Sequence, residues 1–361
     1  MKPAFYDPTI PYEENFKKGP PILSQNIKPP KRDIKKKYKF LGFDVNLPYG
    51  IPAGPLLNSQ FIKAAFDFGF DVSCYKTVRA AFFPSHPFPN VVSVDIKGDL
   101  HPEELRRVVV KNIKKEKAAT NNITITNSFG VPSQNPDIWQ PDANKAVNYA
   151  KEGQLMILSF MGTVTKNQTQ EEFIKDFAHT AKLAKDTKSK VLEANLSCPN
   201  IGNEGLVCYN LDVSEKVCRA IRKTIGNTPL ILKVGHYKND KDIERLAEIT
   251  NTYAHAISAI NTLQVEVVDK KGKPALPGKN RLRSGVGGAG IKWAGLEMTQ
   301  KLNAIRKKKG YTYEIVGVGG VMNPNDYFEY RNAGADLVQS ATAALWNPYI
   351  AYEIWKKENN V

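Results

Sequence analysis

The chain has 361 residues, 42% of them hydrophobic, with 25 glycines, which is enough apolar material for a large core and unlike a disordered composition. Its 51 Lys and Arg against 36 Asp and Glu give a formal charge of +15, which favours anionic ligands and raises nucleic acid as a partner. The basic runs Lys31–Lys39, Lys111–Lys117 and Arg306–Lys309 lack the interleaved aromatics of a base-stacking groove, so they read as solvated faces and no nucleic-acid partner is expected.

Residues 1–38 are rich in Pro and Lys, with pairs at Pro20-Pro21 and Pro29-Pro30, and are expected to form an extended arm with little regular structure. No basic end precedes an apolar segment there, and no run in the chain approaches the roughly 18 apolar residues of a membrane span. A cytoplasmic chain with no membrane partner is expected. From Lys39 to Asn46 apolar residues alternate with small or polar ones, as in a hairpin laid across the bottom of a barrel. Gly50-Ile51-Pro52-Ala53-Gly54-Pro55 is a short core segment ending in small residues, and Ser59–Phe68 reads as a helix. Asp71–Val78 reads as a buried strand that delivers Lys76 and Thr77 at its C-terminal end.

The stretch from Arg79 to Gly153 breaks the alternation with prolines, strand-like segments at Val91–Ile96 and Asn122–Asn127, and a turn through Ser128–Ser133. It is expected to be a long insertion on the face where barrels keep their functional loops, closing with a helix over Asn135–Tyr149. Strand and helix patterns then alternate: strands at Leu155–Met161, Lys190–Ser197, Pro229–Gly235, Ala256–Asn261, Glu314–Gly320 and Asp336–Ala343, helices at Gln170–Lys185, Val213–Thr224, Lys241–Asn251, Lys292–Lys309 and Pro324–Ala333. Counted from Ile51 there are eight strands, each mostly apolar, as doubly covered parallel strands are. No GxGxxG follows the first strand, so the pattern predicts a closed (β/α)8 TIM barrel, with an N-terminal extension and an insertion on the strand C-terminal face. Residues 39–361 are expected to be one barrel domain.

In such a barrel the chemistry gathers at strand C-termini. Those ends supply Gly54, Lys76, Asn195 and Cys198, Lys233, Asn261 and Thr262, Gly319 and Gly320, and Ala341 and Thr342. The set contains two lysines, several amides and a thiol but no carboxylate, which disfavours two-carboxylate hydrolysis. Gly317-Val318-Gly319-Gly320 and Ser340-Ala341-Thr342 lie where barrels hold phosphates, and Ser284–Gly290 reads as a third glycine-rich turn. A phosphate-bearing cofactor beside strand-end lysines suggests a flavin, with Lys233 placed to stabilise the anionic reduced ring. Of four cysteines, Cys74, Cys208 and Cys218 read as buried structural thiols, and no CxxC pair or histidine spacing supports a metal. Cys198 differs, because a thiol whose ordinary pKa is roughly 8.5 can deprotonate a carbon acid when its site lowers it. Asn195 and Asn200 bracket it as ligand-holding amides.

The hexapeptide Asn195-Leu196-Ser197-Cys198-Pro199-Asn200 resembles the signature of the dihydroorotate dehydrogenase family, in its soluble, cysteine-based class. Tyr75-Lys76-Thr77, Thr126–Pro132, Leu232-Lys233-Val234, Ala259–Thr262, Val286–Ala289, Gly317–Gly320 and Gln339–Thr342 follow in family order, over roughly residues 40–350. The resemblance implies an FMN-binding barrel that oxidises dihydroorotate to orotate, with Cys198 taking the C5 proton while the C6 hydride passes to flavin N5. It further implies that Asn127, Asn195, Asn200 and Asn261 hold the pyrimidine with Thr262, beside the loop of Phe129, Gly130 and Val131, and that Lys76 meets the substrate carboxylate. Cofactor contacts are implied for Ala53, Gly54, Lys76, Thr77, Asn127, Asn195, Lys233, Gly287 and Gly288, and phosphate contacts for Gly319, Gly320, Ala341 and Thr342. Soluble members of the family suggest a homodimer.

Two other readings are kept. A related flavin dihydropyrimidine dehydrogenase acting on uracil or thymine would use the same barrel but a substrate without a carboxylate for Lys76. A basic nucleic-acid-binding barrel without flavin would bind RNA in a salt-sensitive way.

Overall fold

The computed structural model describes residues 3–111, 122–197, 207–279 and 281–361. In chain order the elements are α1 Tyr12–Lys18; β1 Tyr38–Phe40, β2 Phe43–Val45 and β3 Tyr49–Gly50; α2 Ser59–Asp67; β4 Val72–Val78, β5 Ser93–Asp95, β6 Arg107–Lys111 and β7 Thr124–Asn127; α3 Pro136–Tyr149. Next come β8 Leu155–Phe160, α4 Gln170–Asp186, β9 Val191–Asn195, α5 Leu211–Ile225, β10 Leu230–Val234, α6 Asp240–Tyr253 and β11 Ala256–Ala259. The chain finishes with β12 Leu263–Val268, β13 Arg283–Gly288, α7 Lys292–Lys309, β14 Glu314–Val318, α8 Pro324–Ala333, β15 Leu337–Gln339, α9 Thr342–Trp346 and α10 Ile350–Glu358.

Eight strands form the parallel ring in the order β3-β15-β14-β11-β10-β9-β8-β4, and the Cys74 N–H donating to the Ile51 carbonyl at 2.8 Å links its two ends. Helices cover the outside, several of them started where the sequence offers a side-chain acceptor for free N–H groups: Asn58 for α2, Thr169 with Glu172 for α4, Asn323 with Asp326 for α8. This is the (β/α)8 architecture that the eight apolar runs predict.

The barrel interior is layered. Its lower half is an apolar cluster of Val72, Cys74, Leu155, Ile157, Val191, Ile231, Ala256, Val316 and Leu337, stoppered by Phe40 and Val45 from the β1–β2 hairpin. That hairpin lies across the barrel bottom, as its alternation predicts. Two residues further along the same strand faces stand Lys76, Ser159, Glu193, Lys233, Ser258 and Gln339, because side chains two apart share a face. The upper layer is therefore polar although it is buried.

Three sequence expectations are corrected. Residues 1–38 carry α1 and a short 3-10 turn over Pro21–Ser24, and Ala4, Phe5 and Tyr6 are fully buried. Aromatic burial and a bidentate pair from Arg32 to the buried Asp71, both contacts at 2.8 Å, override the proline- and lysine-rich composition. Residues 3–11 and 25–37 carry no helix or strand, as expected of the arm. Second, Ser284–Gly290 is mostly strand β13: its glycines let it approach β7 so closely that a Cβ on Gly288 would lie 2.3 Å from the Ile123 carbonyl oxygen. Third, the eighth strand stops at Gln339, and Thr342 already opens α9.

The insertion is also more than one segment. Strands β5, β6 and β7 close with the β12–β13 hairpin into a second, five-stranded barrel, in the order β12-β13-β7-β5-β6. Residues from that small barrel and from the strand ends of the large one line a common cleft.

Candidate active site

The cleft has two adjoining lobes. The larger, with about 790 Å³ of empty volume, runs from Ala53, Gly54 and Lys233 past Gly287 and Gly288 to Gly319, Gly320, Ala341 and Thr342. The smaller, about 460 Å³, is bounded by Lys76, Thr77, Gly130, Val131, Asn195 and Ser197. Ala53, Gly54, Asn127, Phe129 and Asn261 line both. Every expected site residue within the described segments lies on one lobe or both, Thr262 on the larger; Cys198 and Asn200 lie outside the described residues. No Asp or Glu lines either lobe among the described residues, whereas two lysines do. A cleft with this lining attracts anions.

The stem leading to Cys198 is held at both of its backbone groups. Asn195 Oδ1 accepts from the Ser197 N–H at 3.1 Å, and Asn261 Nδ2 donates to the Ser197 carbonyl at 2.7 Å. The backbone of β10 joins in, with the Leu196 N–H donating to the Lys233 carbonyl at 2.9 Å. Two amides that the sequence marks as ligand-holding thus also fix the last described residue before the thiol. The Ser197 hydroxyl is itself buried, beside the Cys208 thiol.

Lys233 sits at the cleft floor, buried, with Nζ donating to the Ser258 hydroxyl at 3.3 Å. Burial pushes its pKa below the usual lysine value, and the Glu193 carboxylate opposes that shift. Glu193, on the neighbouring strand, is also buried; burial raises its pKa, while Lys233 and hydrogen bonds from Ser159 and Cys74 pull it down. Thr77 and Ser159 share a hydrogen bond of 2.9 Å beside it.

At the far end of the large lobe the turn after β14 is built for glycine. Gly320 has φ +69°, and a Cβ there would lie 2.6 Å from the Lys292 backbone. The Tyr330 hydroxyl donates to the Gly319 carbonyl at 2.5 Å, and Asp326 accepts from the Met322 and Asn323 N–H groups and from Lys292. The turn is therefore tied down from both sides, and its two glycines present only backbone to the cleft.

With this geometry the comparisons agree. A family model described as dihydroorotate dehydrogenase matches residues 113–360, and a dihydroorotate dehydrogenase of Dictyostelium discoideum is 36% identical, over 98% of this chain and 97% of its own length. The chain belongs to the dihydroorotate dehydrogenase family. A dihydroorotate dehydrogenase B (NAD(+)) catalytic subunit of Malacoplasma penetrans is 34% identical over 50% of this chain and 57% of its own length. Another, of Staphylococcus carnosus, is 27% identical over 70% and 79%.

Dihydroorotate dehydrogenases are flavoenzymes, and the cleft fits a flavin. It is long and offers a backbone-lined end for a phosphate and a buried cation at the other, while in the polar layer that carries Lys233 the buried Gln339 amide has no partner at either atom among the described residues. Among the described residues no group of His, Cys, Asp or Glu could hold a metal, and no helix is long and apolar enough to cross a membrane.

Some of the site was not foreseen. Tyr6, from the N-terminal segment, lines the large lobe and packs edge-on against Phe129 at 5.2 Å, with Tyr12 on the same ring at 6.0 Å. The three aromatics Phe5, Tyr6 and Tyr12 within the first dozen residues of a polar arm are the available signal. Arg281 is the second case. It is buried and donates to the carbonyls of Pro87, Pro89 and Pro277 and to Ser128, tying the small barrel to the residue between Asn127 and Phe129. Nothing local in the sequence marks that long-range staple.

Proposed function

We propose that this chain oxidises dihydroorotate to orotate in pyrimidine biosynthesis, with FMN along the large lobe and the pyrimidine in the small one. The observation that carries this reading is the joining of the lobes: Lys76 and Asn195 border the small one, Lys233 and the glycine-lined end border the large one, and Asn127 and Asn261 border both. A substrate held at the join can touch both halves of the chemistry.

The reaction removes a proton from C5 and a hydride from C6. Bound FMN supplies the two-electron acceptor for the hydride. Cys198 Sγ takes the proton, acting as general base. Asn127, Asn195, Asn200 and Asn261 orient the ring through amides that both donate and accept, with Thr262 and the Phe129–Val131 loop beside them. Lys76 pairs with the substrate carboxylate, which favours dihydroorotate over an uncarboxylated dihydropyrimidine. Lys233 would supply a fixed cation to the cofactor ring, Ala53, Gly54, Thr77, Gly287 and Gly288 would border it, and Gly319, Gly320, Ala341 and Thr342 would receive its phosphate. Excluding water around Lys233 strengthens its field, since charges act further in a dry site. A homodimer working in the cytoplasm belongs to the same reading, and sedimentation tests the former.

The deciding experiment is anaerobic titration of the purified protein. It is expected to be yellow and to bleach on adding dihydroorotate but not dihydrouracil. Bleaching by dihydrouracil alone would transfer the chain to the uncarboxylated substrates, and a colourless protein would defeat the flavin assignment.

A further inference from the structure

Glu193 is an unusual residue to find inside a barrel. It is 1% exposed, one level above the apolar cluster, and a buried carboxylate costs several kcal/mol unless it is paired. The groups around it come from each neighbouring strand. From β4 the Cys74 thiol donates to Oε1 at 3.8 Å, and Lys76 follows on the same face; from β8 comes the Ser159 hydroxyl; Asn195 lies two residues on along β9. From β10 comes Lys233, and the register sets it diagonally across from Glu193: Ile231 is opposite Glu193, and Lys233 is opposite Asn195.

Lys233 in turn donates to Ser258, and of the groups whose charge acts on it, Cys74 and Glu193, only the diagonal Glu193 supplies a full negative charge. Neutral hydroxyls and a thiol cannot hold an ammonium ion in a dry interior, where desolvation favours the uncharged amine. A carboxylate on the next strand can.

We infer that Glu193 is a positioning residue for the flavin reaction: as the buried counter-ion of Lys233 it keeps that lysine protonated at the cleft floor. Glu193 lines neither lobe of the cleft and acts through Lys233. Without Glu193 the lysine sheds its proton at mildly alkaline pH, and the reduced, anionic ring loses its cation. The inference rests on the flavin reading above and adds to it the control of its electrostatics.

The test is a spectroelectrochemical titration of the bound flavin in the wild-type holoenzyme and in Glu193→Gln, from about pH 6 to about pH 9. At the alkaline end the two-electron reduction of the variant is expected to be at least about tenfold less favourable, a midpoint lower by about 30 mV. At the acid end the two proteins are expected to converge, because the lysine there regains its proton without help. A midpoint that is unchanged, or higher, at every pH overturns the inference, since Lys233 would then be holding its proton unaided.

A cycle with Lys233→Met gives a second arm. In the Lys233→Met background, Glu193→Gln is expected to leave the pH dependence unchanged; a persisting alkaline loss would mean that Glu193 acts on something else. If Glu193→Gln alone fails to fold, the double variant, which removes both charges, is expected to accumulate and bind flavin. Failure of the double variant while Lys233→Met folds also overturns the pairing. A colourless wild-type protein would instead defeat the flavin reading, whereas a yellow wild type matched by its variant at all pH defeats only this inference.

Discussion

Glu314, at the opposite end of the barrel from the cleft, gives the chain a calculable pH response. Its Oε1 accepts the Leu41 N–H at 2.8 Å, clamping the hairpin that stoppers the barrel, while Oε2 is buried with no partner among the described residues. Burial, with Asp336 adding repulsion, raises its pKa from 4.5 to about 7, against the pull of Leu41, Arg306 and Arg331. Below about pH 4.5 the folded and unfolded chains both hold the proton, so the group does not affect stability. Between about pH 4.5 and about pH 7 the unfolded chain releases it and the folded chain keeps it, so stability falls as pH rises. At 1.36 kcal/mol per tenfold in acidity the loss is about 3 kcal/mol, and solvent reaching part of the group reduces it to about 1–2 kcal/mol. Glu314→Gln keeps an acceptor for Leu41 and removes the titration. Urea unfolding at about pH 4 and about pH 8 is expected to show the variant gaining about 1–2 kcal/mol on the wild type between the two conditions. Stability curves that run parallel across that range would refute the reasoning, because Glu314 would then be ionising freely in the folded chain.

Three further outcomes concern the cleft. Cys198→Ala is expected to retain its flavin while reduction by dihydroorotate slows by about 10²- to 10⁴-fold, measured by anaerobic stopped flow; an unchanged rate removes the thiol from its role. Gly320→Ala places a methyl on the Lys292 backbone at a left-handed φ and is expected to cost about 2–4 kcal/mol and to raise the flavin dissociation constant; thermal unfolding and flavin retention on a desalting column together check it. Tyr6→Ala strips a ring from Phe129 and is expected to expose the first 30 or so residues to limited proteolysis and to raise KM, with Tyr6→Phe close to wild type. Equal protease resistance in Tyr6→Ala would show that the segment docks without that ring.

The parts of the fold that depend on local chemistry were readable. Runs such as Val191–Asn195 and Leu230–Val234 are mostly apolar because both faces of the strand are covered, and their ends carry the residues of the cleft. The five-stranded barrel was mostly hidden. Strand β6 is short and half exposed, β12 alternates with a hairpin partner full of glycine, and the two pair in parallel across more than 150 residues, through Arg107 and Glu266. No local pattern encodes such a pairing. The arm was misjudged for a related reason: its prolines and lysines describe residues 28–37, whereas Phe5, Tyr6 and Tyr12 are set by where they dock. Lys76, Lys233 and the asparagines were legible as strand-end polar groups; Glu193 was not, since a single acid within an apolar strand shows no period.

That long-range pairing bears on the order in which the molecule assembles. The eight-stranded ring is wound from neighbours in sequence, but the small barrel needs β5, β6 and β7 to wait for β12 and β13, which follow after most of the ring has been made. Loop closure over such distances is slow, so the ring is expected to gain protection from hydrogen exchange before the small barrel does. An early species would then expose the polar upper layer to water, where Lys76, Glu193 and Lys233 are solvated without penalty, and these charges would be sealed in only when β12 and β13 join the small barrel.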